Sequence, residues 1–300
     1  MREEMAAYLH HLAVEKNSSA HTIKSYREDL EQAIGYFKQQ LGGEAAGVAQ
    51  ISTRLVRSWL AWLHDQKYAK STIARRLAAV RSWLRFLCRT GQLSTNPTDG
   101  LRGPRREKHL PTVLTETAVV KLCEAPDAGS WFGLRDRAIF ETIYSAGLRV
   151  SEASALNRED VDLDDGVAVV RGKGKKERLA LLGRPAIAAL KEWLKERDKL
   201  AATKLWKDVA VFVNKNGTRL TTRSMGRLMA KYLQQQGLDT RASPHTLRHS
   251  FATHMLDHGA EIRGVQELLG HEQLSTTQIY THLSTTKLQD TYQQAHPRAS

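Results

Sequence analysis

The chain has 300 residues, too many for one small core and enough for two domains. Lys and Arg number 45 against 32 acidic residues, a formal charge of +13 that favours a polyanionic partner, nucleic acid first, without defining any chemistry. The two cysteines, Cys88 and Cys123, sit in apolar patterns, which excludes a disulfide framework or a cysteine-rich zinc module and suits a reducing cytoplasm.

The opening MREEMAAYLHHLAVEK carries charges and histidines through its apolar face, unlike a signal peptide, and no stretch reaches membrane-spanning length. Residues 1 to about 91 predict four helices and no strand. Ile23, Tyr26, Leu30, Ala33 and Phe37 form the core stripe of the second helix, and Ile73, Leu77, Val80, Leu84 and Leu87 that of the fourth. The other side of the fourth helix carries Arg75, Arg76, Arg81, Arg85 and Arg89. The last three repel at i, i+4 spacing, and a phosphate backbone would relieve that repulsion, although a solvated basic face reads the same way. NPTDG, Gly103-Pro104 and RREKHLP then mark a linker between Ser94 and Pro111, the expected domain boundary.

From Thr115 onward the pattern is again mainly helical. VDLDDGVAVVRGKGKKERLALL interrupts it, and its Asp-Gly and Gly-Lys-Gly turns predict a small antiparallel sheet. Further helices are expected over about 184–202, 221–236, 244–258, 261–269 and 275–282, with VAVFVN a strand or short buried segment.

Four clusters could carry chemistry. In SPHTLRHSFATHML, Ser243 can cap a helix, Pro244 suits its first position, and His245 and Arg248 share the face beside the free N–H groups of the first turn, an arrangement that binds anions. A rival reading takes His245 with His249, and His254 with His258, as zinc pairs, but no third ligand or HExxH glutamate accompanies either. In EIRGVQELLGHEQLSTTQIYTHL a helix ends at Gly270, with His271 just beyond and Tyr280 on the next helix; in isolation Tyr280 reads as core. In YSAGLRVSEASAL, Gly147 closes one helix, Ser151 can cap the next, and Arg149 lies in the turn. In RGKGKKE, Lys173 sits at a hairpin tip, and the segment is not a P-loop. Together Arg149, Lys173, His245, Arg248, His271 and Tyr280 suit phosphoryl transfer without a metal or other cofactor, since they can neutralise nonbridging oxygens, supply a nucleophile and protonate a leaving oxygen.

These motifs, AGLRVSE, RGKGKKERL, SPHTLRHSFATHML and LLGHEQLSTTQIYTH, in this order and spacing, resemble those of the tyrosine site-specific recombinases, the phage integrase family, and within them the Xer group. SSAHTIKSYREDL and STIARRLAAVRSWLRFL are similar to its N-terminal DNA-binding helices, so the resemblance spans the chain. RGVQELLGH and AHPRA resemble the XerC branch more than the XerD branch.

The resemblance implies a mainly α fold with a small antiparallel β-sheet (α+β) in the catalytic domain, closing as a two-domain C-shaped clamp on DNA. Its domains would be residues 1–93, a SAM-like core-binding domain, a linker over 94–111, and a catalytic domain over 112–300 whose last helix, about Leu288 to Pro297, docks on a neighbouring protomer. It implies that Tyr280 attacks the scissile phosphate to form a 3′-phosphotyrosyl link, that Arg149 and Arg248 clamp the nonbridging oxygens, that Lys173 protonates the 5′ oxygen, and that His245 and His271 assist. Glu152 is either a partner that orients Arg149 or His245 or a plain helix-dipole residue. Implied partners are double-stranded DNA with a dif-like site, a XerD-like recombinase completing a heterotetrameric synapse, and an FtsK-type translocase, all at the nucleoid in the cytoplasm and away from membranes. Chromosome-dimer resolution is the implied role. A mobile-element integrase, a type IB topoisomerase and a noncatalytic DNA-binding protein of the same fold are the competing readings.

Overall fold

In the computed structural model four helices build the first unit: α1 (Arg2–Val14), α2 (Ala20–Gln40), α3 (Thr53–Asp65) and α4 (Lys70–Arg89). The structure describes residues 1–104, 112–172, 177–204, 206–270 and 282–299, which fall into two units, Met1–His109 and Leu110–Ser300. Local chemistry sets the helix starts: the Ser19 hydroxyl accepts the Thr22 N–H and the Ser52 hydroxyl the Leu55 N–H, both at 3.2 Å. Leu30, Ala33 and Phe37 of α2 meet Ile73, Leu77, Val80, Leu84 and Leu87 of α4 in a core closed by Trp59 and Trp83, while Ile23 and Tyr26 are half-buried at its edge.

The arginine row of α4 is not the self-repelling face that helical spacing predicts. Asp29, buried on α2, pairs with Arg75 and, at 3.6 Å, with Arg76, whose guanidinium also lies 4.1 Å from the Tyr68 ring centre. Arg81 donates to the Leu101 carbonyl at 2.6 Å and so folds the post-helix segment back on α4, and Arg89 hydrogen-bonds His11. Arg85 is exposed. Asp29 thus serves the N-terminal pair, Arg75 and Arg76, while of the i, i+4 set Arg81 and Arg89 turn to a backbone carbonyl and a histidine and Arg85 is left exposed.

The second unit comprises α5 (Glu116–Glu124), α6 (Trp131–Ser145), α7 (Val150–Ala155), strands β1 (Val161–Asp162), β2 (Val167–Arg171) and β3 (Glu177–Leu181), then α8 (Arg184–Lys204), α9 (Thr222–Gln235), α10 (Pro244–Asp257), α11 (Ile262–Leu269) and α12 (His282–Ala295). Its axis is α6, in which every residue from Ala138 to Ser145 is buried. The strands form an antiparallel sheet in the order β1-β2-β3, with Val170 opposite Arg178 and Arg171 opposite Glu177. Residues Ala210 to Val213 are a buried extended segment tied by isolated bridges and not a full strand.

The helix expected over 275–282 falls mostly on residues outside those described, and the RREKHLP run does so entirely. The described part of the C-terminal segment packs on the chain's own core. Tyr292 Oη and Ser145 Oγ are 2.7 Å apart, the Gly183 N–H donates to the same Ser145 oxygen, and Arg298 donates to Glu141 at 2.6 Å. The apolar and polar sockets for this segment exist within α6 itself, which gives it a partner in the single chain.

Candidate active site

α7 begins two residues earlier than the expected cap at Ser151. Its N-cap is Arg149, and the Glu152 side chain reaches back to accept the Arg149 N–H at 2.9 Å. A carboxylate three residues into a helix serves any N-cap residue in this way, so the serine is not needed. Gly147 makes the preceding turn possible. Its φ is +53°, and a Cβ there would stand 2.7 Å from Phe251 and 2.9 Å from Leu269, so only glycine lets the α6–α7 turn nest against α10 and α11.

On α10 the Ser243 N–H donates to Thr246 Oγ1 at 3.0 Å, Pro244 takes the first helical position, and His245 is exposed in the first turn as predicted. One turn on, buried Arg248 donates to the Gly147 carbonyl at 2.6 Å and to the Leu269 carbonyl at 2.8 Å. These bonds tie α10 to the α6–α7 turn and to the end of α11.

Glu152, 3% exposed, is the hub of the arrangement. Its carboxylate binds the Arg149 guanidinium at 2.7 Å and that of Arg178 at 3.0 Å, with Arg248 at 3.6 Å. Burial alone would raise its pKa, but Arg178, the Arg149 N–H and guanidinium and Arg248 together hold it below the usual carboxylate range. Burial, with the repulsion of Arg149 and Arg178, pushes Arg248 down to about 10, still fully charged at neutral pH. Three guanidiniums thus face one carboxylate in a largely desolvated place. Both readings of Glu152 are seen at once: it accepts the Arg149 backbone N–H at the start of α7 and also binds the Arg149 guanidinium.

Lys173, His271 and Tyr280 lie outside the described residues. The chain enters and leaves their segments at fixed places: Arg171 and Glu177 close the base of the β2–β3 hairpin 3.0 Å apart, and α11 ends at Gly270 in the left-handed conformation. Arg75, Arg76, Arg81 and Arg85 are on the other unit, with the pairings already described. Arg178 lies in the same motif as Lys173, and composition alone does not single it out. The signal was its register, since pairing Arg171 with Glu177 puts Arg178 opposite Val170 on the buried side of the sheet.

The zinc reading of His254 with His258 gains no third ligand: His254 Nδ1 is hydrogen-bonded to Tyr144 Oη at 2.8 Å and His258 Nδ1 to the His254 carbonyl. Among the described residues there is no group of three or more side chains that could hold a metal, and no helix long and apolar enough to cross a membrane.

Comparison with known proteins extends the geometry. Residues 5–91 match the phage integrase N-terminal SAM-like domain, and residues 112–287 match the phage integrase family. The tyrosine recombinase XerC of Pelotomaculum thermopropionicum is 43% identical, with 97% of each chain covered, and that of Natranaerobius thermophilus is 43% identical over 100% of both. The Tn1549 transposon integrase, solved in complex with circular intermediate DNA, shares the fold with a TM-score of 0.69 at 17% identity, over 95% of this chain and 97% of that one. An arginine–glutamate cluster at the meeting of α7, α10, α11 and β3, two matched domains and this identity along the full length agree: the chain belongs to the phage integrase family, as a tyrosine recombinase of the XerC type, a DNA strand-transferring enzyme.

Proposed function

We propose that the chain cuts and rejoins duplex DNA at a dif-type site and so resolves chromosome dimers before cell division. The observation that carries this reading is the surplus of guanidinium around Glu152, where Arg149, Arg178 and Arg248 outnumber the carboxylate they share. A scissile phosphate is an anion of the right size and charge to complete the cluster, and its charge rises where a transition state needs stabilising. Arg149 and Arg248 bind the nonbridging oxygens. Tyr280 attacks the phosphorus, breaking the P–O5′ bond and forming the 3′-phosphotyrosyl link; Lys173 gives its proton to the 5′ oxygen, and His245 and His271 hold the phosphate or take the phenolic proton, all without a metal ion.

The remaining parts of the reading follow the family. Residues 1–93 form a DNA-binding domain, 94–111 a linker and 112–300 the catalytic domain, and the two domains close around the duplex as a clamp. On α4 the contact to the DNA backbone falls to exposed Arg85 and to the exposed part of Arg75, while Arg76 and Arg81 hold the fold around them. A XerD-like recombinase supplies the other half of the synapse at the nucleoid, and an FtsK-type translocase controls it. Relatives named XerC, and a fold neighbour solved on DNA, support the reading.

The test is a suicide substrate: nicked duplex with the host's dif-type site, without metal, incubated with the wild type or with Tyr280→Phe, with a XerD-like partner added in parallel. A covalent adduct made by the wild type and absent from the variant is expected on a denaturing gel. DNA binding with no adduct in either arm sinks the catalytic reading, and adduct formation only on a mobile-element end would move the chain to the integrases.

A further inference from the structure

We infer that Arg178 is a positioning residue for strand cleavage, which fixes the end of α11 against the Arg149–Glu152–Arg248 cluster. The inference rests on the function proposed above.

An arginine turned into a sheet's buried face is costly unless its charge is paired and its N–H groups are used. Arg178 is 8% exposed and lies opposite Val170, where an apolar side chain would pack without that cost. What the guanidinium provides there is a pair of bonds to two different elements: Glu152 Oε2 of α7 at 3.0 Å and the Leu268 carbonyl of α11 at 2.7 Å. Arg248 makes the matching bond to the next carbonyl, that of Leu269. Two neighbouring carbonyls at the C-terminus of α11 are thus each held by a guanidinium that also faces Glu152, an arrangement in which the helix end and the anion site cannot shift independently.

The close approach at Gly270 makes the same point. A Cβ on Gly270 would stand 2.6 Å from Arg178 Cδ, so the side chain lies directly against the residue from which the segment carrying His271 and Tyr280 departs. Arg178 also follows, with one residue between, the hairpin segment that carries Lys173. One side chain stands at the root of both segments and touches the carboxylate that orients Arg149. Loss of its bonds leaves the fold's apolar core intact but frees the end of α11 relative to Arg248, and a misplacement of about 1 Å in a reacting group slows chemistry about a hundredfold.

Arg178→Lys and Arg178→Met are compared with the wild type and Tyr280→Phe on the nicked dif-type duplex. Single-turnover adduct formation, DNA affinity by gel shift and thermal melting are measured, and the scissile phosphate is either normal or a methylphosphonate. Expected are retained duplex binding and a cooperative melting transition, adduct formation slowed about a hundredfold by Met, and partial recovery with Lys, which can keep one of the two bonds. The methylphosphonate removes a charged nonbridging oxygen, so the loss shrinks on that substrate if it arises from misplaced guanidiniums. Wild-type rates in both variants, the same loss on both substrates, or lost melting and DNA binding in both variants would overturn the inference, the last by assigning Arg178 to folding. A wild type with no adduct beyond that of Tyr280→Phe marks the failure of the proposed function itself, and takes the inference with it.

Discussion

Glu152 does the work that its position three residues after Arg149 allows: it caps α7 with one oxygen and gathers three arginines with its charge. Glu152→Gln keeps the shape and removes the charge, which leaves buried Arg178 and Arg248 without their counter-ion. A loss of about 3 kcal/mol in the stability of the second unit is expected from urea unfolding, because breaking a buried pair exposes the full desolvation cost of the other partner. A change below the error of the fit would show that the arginines are compensated elsewhere. At this scale the sequence was legible where the chemistry is local: Ser243, Pro244 and His245 stand at the start of α10 as read. It was not legible where a side chain's role depends on register. In ERLAL the alternation invites Leu179 and Leu181 inward, yet β3 turns Arg178 and Ala180 to the buried side and leaves Leu179 partly exposed.

The apolar stripes predicted α2 and α4, and their core residues are where helical spacing puts them. Periodicity says which side of a helix is buried and nothing about which neighbour supplies a counter-charge. Asp29 of α2 answers Arg75 and Arg76 of α4 from 46 positions away in the case of Arg75, a pairing no pattern along one helix could disclose. The consequence for DNA binding is specific to α4. Arg85→Ala is expected to weaken binding of all duplexes about equally and to reduce the slope of log affinity against log salt by about 1, the mark of one lost phosphate contact. Arg76→Ala is expected to lower the melting temperature of the first unit instead. A gel-shift titration over a series of salt concentrations checks both, and an unchanged slope for Arg85→Ala would remove that residue from the DNA face.

Across the whole second unit, the described C-terminal segment seals the core with a histidine that stays neutral beside the Arg298–Glu141 ion pair. His296 is buried, stacked 4.7 Å from the Tyr292 ring, and its Nδ1 accepts the Arg298 N–H. Burial, with a smaller push from His254 and Arg298, lowers its pKa from 6.5 to about 3, and burial lowers that of His254 as well. The unfolded chain therefore binds these protons from about pH 6.5 downward while the folded chain refuses them, so stability is lost as pH falls between the two values. From pH 6.5 to 5 the loss attributable to His296 is about 2 kcal/mol. Urea midpoints at pH 7 and pH 5 check this, with a smaller drop expected for His296→Gln; a wild-type midpoint unmoved by acid would contradict it.

The bonds that hold this segment join the most distant parts of the unit: Ser145 with Tyr292 across 147 positions, and Glu141 with Arg298 across 157. The buried serine and carboxylate of α6 are made early on the ribosome and meet their partners only after α7 through α11 have been synthesised. Until then the central helix has exposed polar sockets and an incomplete apolar wall, a state prone to aggregate and slow to resolve because its last contacts close long loops. A nascent chain stalled before Tyr292 would hold β1 to β3 and α5 to α11 and still lack a finished core, so the wall around α6 closes only after the rest of the unit has been made.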